Sequence, residues 1–138
     1  MASNLKYSAV LKNAMEAAIP STVGASALLN LYSGTQPTNP DTAITSQVLL
    51  ATLTCSATFA PAASGGVLTA NAISNGTGTA GAGAGTSATW YRLTTSGGTA
   101  HIDGSVGTSG CDLNLTGSTS IATGQTVSVS SWTLSNGN

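Results

Sequence analysis

A chain of 138 residues is one domain's worth of sequence, and only seven of its residues are charged. A soluble domain of average composition would carry roughly 34. With a net charge of −1 and a pI near 5.4 there is no cluster of Lys and Arg, which excludes a phosphate-gripping nucleic-acid surface, and no apolar run reaches the length of a membrane span.

The first 24 residues read as a helical arm and 25–138 as a single β-sandwich domain. Residues 4–19 give the only helical period. Tyr7, Leu11, Ala14, Met15 and Ala18 recur at three- and four-residue spacing and form one apolar stripe. Ser3 or Asn4 supplies a cap, and Pro20 is expected to stop the helix. The stripe either packs on the chain's own sheet or docks on a neighbouring subunit. Lys12 and Glu16 interrupt the stretch where a secretory signal needs an apolar segment, so synthesis in a cytoplasm is expected.

After Gly24 the period changes to two. Residues 27–33 make a first strand. GTQPTNPD, with Pro37 and Pro40, follows as a surface loop. The clearest strand runs over 47–59. Leu49, Ala51, Leu53, Cys55, Ala57 and Phe59 share a core face, and Leu50, Thr52, Thr54, Ser56 and Thr58 share the other. Pro61 ends it. Gly65-Gly66 makes a turn and 67–73 reads as the returning strand.

Residues 75–87 are rich in glycine and lack any large side chain. They form either a mobile surface loop or a segment pressed against another chain. A phosphate loop would need a Lys-Ser/Thr ending and a helix to follow, and has neither. Residues 88–95 and 99–103 form a hairpin around Ser96-Gly97-Gly98, 112–115 a short strand, and 125–134 the last. In that last strand Val127 and Val129 differ in parity from Trp132 and Leu134, so a bulge near Ser130-Ser131 is expected to turn all four inward. The sum is a mainly β fold, an antiparallel β-sandwich (jelly-roll or Ig-like) or a barrel, with one N-terminal α-helix.

Reactive chemistry is sparse. His101 is the sole histidine and reads as a solvent-facing strand residue. A Ser105–His101–Asp103 triad would have to come from one short strand, whose spacing does not favour it. Asp41, Asp103 and Asp112 have no spacing that gathers them as a metal or glycosidase site. Asp41 is expected to shape the turn after Pro40 and Asp112 to cap the turn before 112–115. Trp90, Tyr91 and Trp132 either stack sugars on an exposed face or fill a core, and six aromatics in the whole chain favour the core. Arg92 has Asp103, across the hairpin, as its first candidate partner. Cys55 is expected to be buried and unpaired, and Cys111, after Gly110, to be the more reachable; a disulfide within or between subunits is the alternative. Zinc lacks ligands. No catalytic, cofactor or metal site is expected, and the chain is read as not an enzyme.

The strings YSGTQPTNPDTA, LLATL, SGGVLTANAI and GSVGTSGCDLNL, with ATWYRL and TVSVSSWTL, cover about residues 27–134. Together they resemble a family of small structural proteins of tailed bacteriophages. The resemblance implies a virion protein without catalytic content. Some members decorate the head as cement proteins, so it implies the major capsid protein and further copies of the chain (dimer or trimer) as partners. The implied place is the outer capsid surface of a particle assembled in the host cytoplasm, with neither nucleic acid nor membrane as partner. The chain departs from the family in its Gly/Ala-rich 76–86 segment and its two cysteines. Alternatives are a neck, collar or tail protein and, in another class, a carbohydrate-binding module.

Overall fold

The structure is a computed structural model that describes residues 4–135; Ser3, one of the two cap candidates, lies outside them. The one α-helix among the described residues, α1, spans Ala9–Val23. It starts five residues later than the periodicity implies because Ser8, in extended conformation, is the cap: its Oγ accepts from the Leu11 N–H at 3.2 Å. Asn4–Ser8 are neither helix nor strand. Pro20 does not stop the helix. Its missing N–H removes one bond, and the helix runs on until the Gly24 N–H closes on the Pro20 carbonyl at 3.1 Å, with Gly24 at φ 72°.

Helix α1 also turns the opposite face inward from the one its apolar period indicates. Glu16 and Val23 are buried and Lys12, Asn13, Ile19 and Pro20 half-buried, whereas Leu11, Ala14, Met15 and Ala18 are exposed. The reason lies at Gly66. Asn13 Oδ1 accepts from the Gly66 N–H at 2.7 Å. The Lys12 stem covers the place where a Gly66 side chain would stand: a Cβ there would lie 2.9 Å from the Lys12 Cδ. The polar side of the helix thus finds a seat that a larger residue would fill.

Five strands form the main sheet, in the order β2-β1-β6-β7-β8: β1 Leu28–Tyr32, β2 Leu49–Thr54, β6 Trp90–Thr94, β7 Ala100–Gly107 and β8 Leu113–Asn114. All pairings are antiparallel except β7–β8, which is parallel over Val106↔Leu113 and Gly107↔Asn114. Among the described residues three two-stranded ribbons complete the fold: β3 (Val67–Thr69) with β11 (Thr133–Ser135), β4 (Gly76–Thr77) with β10 (Thr126–Val127), and β5 (Thr86–Ser87) with β9 (Ser120–Ile121). The protein is therefore mainly β with one N-terminal helix.

The long alternating stretch 47–59 is a shorter strand than expected. Ala51, Leu53, Cys55 and Phe59 are buried as the alternation indicates, but Ala57 is exposed and Leu50 is buried as well. Tyr32 pairs with Leu49 and Leu31 with Ala51, so Leu50 is the extra residue of a bulge. Residues 67–73 do not return along β2. The contact with β2 comes one residue later, as a Thr54↔Ser74 bridge, and β3 goes to β11 instead. The 125–134 stretch is likewise divided between two ribbons. Its break at 128–132 has the effect expected of a bulge: Val127, Val129 and Trp132 are buried and Leu134 packs against them.

The glycine-rich segment is bound to its own chain. It contains β4, a 3-10 turn at Ala80–Ala82 and β5. A Cβ on Gly76 would lie 2.6 Å from the Thr52 carbonyl oxygen, and one on Gly78 would overlap the Ala122 carbonyl. Its glycines permit backbone to approach backbone, and the neighbour is this chain's own β2 and the Ile121–Ala122 stretch at the end of β9.

Candidate functional site

Of the chemistry-bearing residues, Arg92 and Asp103 form the most developed cluster. They are direct partners on β6 and β7. Arg92 Nε donates to Asp103 Oδ1 at 2.8 Å and Nη2 to Oδ2 at 2.7 Å, a two-pronged pair whose side chains are 6% and 1% exposed. The Asp103 bonds hold the Arg92 guanidinium protonated even more firmly than usual. Its remaining donors reach the carbonyls of Thr42 (2.9 Å) and Asn39 (3.3 Å). Arg92 thereby clamps the proline loop across the outer face of the sheet. The YSGTQPTNPDTA string is, in three dimensions, the cover of that clamp. Asp41 occupies the turn after Pro40, which closes with the Thr42 N–H on the Asn39 carbonyl at 3.1 Å.

Beneath the loop, Trp90 stacks on Tyr32 (centroids 4.6 Å apart, 14° between planes), and the Arg92 guanidinium carbon lies 5.4 Å from the Trp90 ring centroid. Asn30 bridges β1 to its neighbours, donating to the Arg92 carbonyl at 3.3 Å and accepting from Thr52 Oγ1 at 2.9 Å. Three further aromatics lie in the apolar core: Trp132 meets Phe59 and Tyr91 edge-on at 5.9 and 5.2 Å. Trp90, Tyr91 and Trp132 are each no more than 2% exposed, so none of them is a sugar-stacking platform. Burial pushes the Tyr91 phenol upward.

No triad assembles. Ser105 Oγ and N–H both donate to Asp112 Oδ2 at 2.8 Å, and the Asp112 N–H returns to Ser105 Oγ at 3.1 Å. These bonds hold the Asp112 carboxyl below the usual carboxylate range and tie β7 to the start of β8. The turn before 112–115, which Asp112 is expected to cap, is capped instead by Asn114, whose Oδ1 accepts from the Cys111 N–H at 3.2 Å. Asp103 is committed to Arg92. His101 is half-buried, not solvent-facing: Leu93 pairs with Ile102 and Thr94 with Ala100, leaving His101 as the extra residue of a bulge. It borders a hollow of about 190 Å³ with Ala18, Ile19, Thr22, Val23 and Ile102. No group of acidic, His or Cys side chains among the described residues is arranged to hold a metal. Cys55 is buried and unpaired, its thiol pushed up to about 11 by burial. Cys111 is half-buried and also unpaired.

What remains is surface. The outward face of α1 presents Val10 (79% exposed), Leu11 (47%) and Met15 (42%), beside Ala14 and Ala18. No helix among the described residues is long and apolar enough to cross a membrane. Neither the helix seat nor the loop clamp is evident from sequence alone. The signals there are Gly66 directly after Gly65, and Arg92 sharing a strand face with Trp90 and Thr94. No known protein family, curated protein or solved structure matches the chain.

Proposed function

We propose that this chain is a structural subunit of a tailed-bacteriophage virion, a decoration (cement) protein on the outer capsid surface. It binds the major capsid protein and further copies of itself through contacts alone, and it is not an enzyme. One observation carries the reading: the apolar stripe of α1 faces outward. Val10, Leu11, Ala14 and Ala18 form an apolar surface on a helix whose polar side is already bonded to the sheet. Exposed apolar patches of this kind mark interaction sites. The virion-protein strings and the near-absence of charge support the same reading, since neutral hydroxyl-rich surface is cheap to desolvate against a neighbour. We also read the three ribbons as the second layer of a β-sandwich over the main sheet: Leu68, Ile121 and Val127 from the ribbons share one apolar cluster with Leu29, Leu31 and Leu93.

A subunit that prefers the expanded shell stabilises it by mass action. Heads stripped of the protein should therefore release DNA at a lower temperature than heads to which it has been added back. Equal release temperatures, or labelling of the protein only at the neck or tail, would replace the cement reading with the neck or tail one.

A further inference from the structure

Gly76 is a glycine for want of space. Its φ is not positive, so an ordinary residue could adopt its backbone conformation. A Cβ there, however, would lie 2.6 Å from the Thr52 carbonyl oxygen and 3.1 Å from the Leu53 Cδ1. The residue before it is under no such constraint. Asn75 is exposed, lies just outside β4, and its side-chain amide makes no hydrogen bond to the described residues. The packing of β4 on β2 thus sets a free Asn directly before a Gly, the one such pair among the described residues. A second, Asn136-Gly137, lies outside them.

Asn before Gly is the most labile of the side-chain amides, because no side chain on the following residue shields its backbone nitrogen. The Gly76 nitrogen loses its proton to solvent base and attacks the Asn75 Cγ. The bond from Cγ to the side-chain nitrogen breaks, ammonia leaves, and a cyclic succinimide remains. Water then opens the ring at either carbonyl. One opening gives Asp at position 75. The other reroutes the main chain through Cγ and gives isoaspartate. The sum is one water consumed and one ammonia released, with no oxidant or cofactor.

In the fold the attacking nitrogen is engaged. The Gly78 N–H donates to the Gln125 carbonyl at 2.7 Å, and Gly76 pairs with Val127 two residues further along the same antiparallel ladder. Hydrogen-bonded pairs alternate in such a ladder, so the Gly76 N–H is aimed at the Val127 carbonyl. Attack on Asn75 requires that bond to be released. Each strand of the ribbon is two residues long, and so short a ribbon opens at less cost than the five-stranded sheet.

We propose that Asn75 is a deamidation site of this protein, gated by the opening of the β4–β10 ribbon. The product is unlike its parent in two ways. It adds a carboxylate to a chain with only seven charged residues. As isoaspartate it also lengthens the main chain by one carbon where Gly76 is pressed against Thr52, so the ribbon cannot close again in its original register.

The chemistry needs no particle, so its failure would leave the head-binding reading untouched. The purified full chain is held at mildly alkaline pH, native or in urea, then digested with trypsin and weighed by mass spectrometry. Lys6, Lys12 and Arg92 are its only tryptic sites, which puts Asn75 in peptide 13–92 and Asn136 in 93–138. The native chain should accumulate deamidated 13–92 about tenfold or more slowly than the unfolded chain, since only the opened ribbon reacts. Thr126→Gly weakens β10 at an exposed position and should raise the native rate by about fivefold, with exchange of the Gly76 amide hydrogen rising in parallel. Asn75→Gln, whose longer side chain cyclises far more slowly, should abolish the conversion of 13–92 and leave the melting temperature unchanged. Native conversion as fast as unfolded, a rate indifferent to Thr126→Gly, a mass change confined to 93–138, or one that persists in 13–92 of Asn75→Gln would overturn the proposal.

Discussion

Both faces of the five-stranded sheet are buried, but they are built from different chemistry. The inner face is apolar: Leu29, Leu31, Leu53, Tyr91 and Leu93 pack among the ribbon side chains. The outer face carries Asn30, Trp90, Arg92, Thr94 and the Asp103 carboxylate, and its cover is the 34–48 loop. The inner face is held by a non-directional effect proportional to area. The outer face is held by a few directional bonds, each of which leaves a buried partner stranded if it is removed. A nearly uncharged protein thus uses its one arginine, out of reach of solvent, to fix a loop.

Breaking the outer face should therefore cost the most. Arg92→Ala leaves the Asp103 carboxylate buried without its partner and should destabilise by about 3–5 kcal/mol, read from denaturant unfolding. Arg92→Ala/Asp103→Ala should be less damaging than the sum of the two single changes, because the double change strands no charge; simple additivity would show that the pair is not coupled. On the inner face, Leu53→Ala should cost about 2–5 kcal/mol through the cavity it leaves, and Leu53→Met less than about 1.5 kcal/mol. An inner face as intolerant of Met as of Ala would erase the contrast between the two.

Gly78→Ala sharpens a different point. It tests whether the glycine-rich segment is packed or merely loose. The added methyl overlaps the Ala122 carbonyl and should cost on the order of 1–3 kcal/mol, whereas a loose loop would gain slightly from the lost unfolded-state entropy.

The smallest effect belongs to the helix seat. Glu16 is 5% exposed, and its Oε2 has no hydrogen-bond partner. Burial raises its carboxyl above the ordinary value. A group raised in the folded state favours folding below its unfolded value and loses that contribution as pH rises through the folded one. Glu16→Gln should therefore stabilise on the order of 1 kcal/mol at pH 7 and little at pH 4, measured as melting temperature at the two pH values. Equal effects at both would place the carboxylate in solvent.

Alternation makes the inner face legible. Leu53, Cys55 and Phe59 can be assigned from residues two apart, and the Arg92–Asp103 pair from a hairpin whose turn residues are plain. The departures share one cause, tertiary partners that no local period encodes. Gly66 overrides the apolar stripe of α1, β11 captures the strand expected to return along β2, and the Ala122 carbonyl explains Gly78. The virion reading rests on strings of residues that fold into scaffold, so the part of the candidate site open to a partner, the outward face of α1, is legible as a stripe but not in its direction.

That direction is the centre of the account, and Leu11→Asp tests it most directly. The variant protein should melt within about 1 °C of the wild type, since surface changes away from packed features alter stability little, and it should fail to rebind stripped heads. A variant that rebinds as well as the wild type, or that loses its fold, would contradict an outward-facing docking surface on the helix.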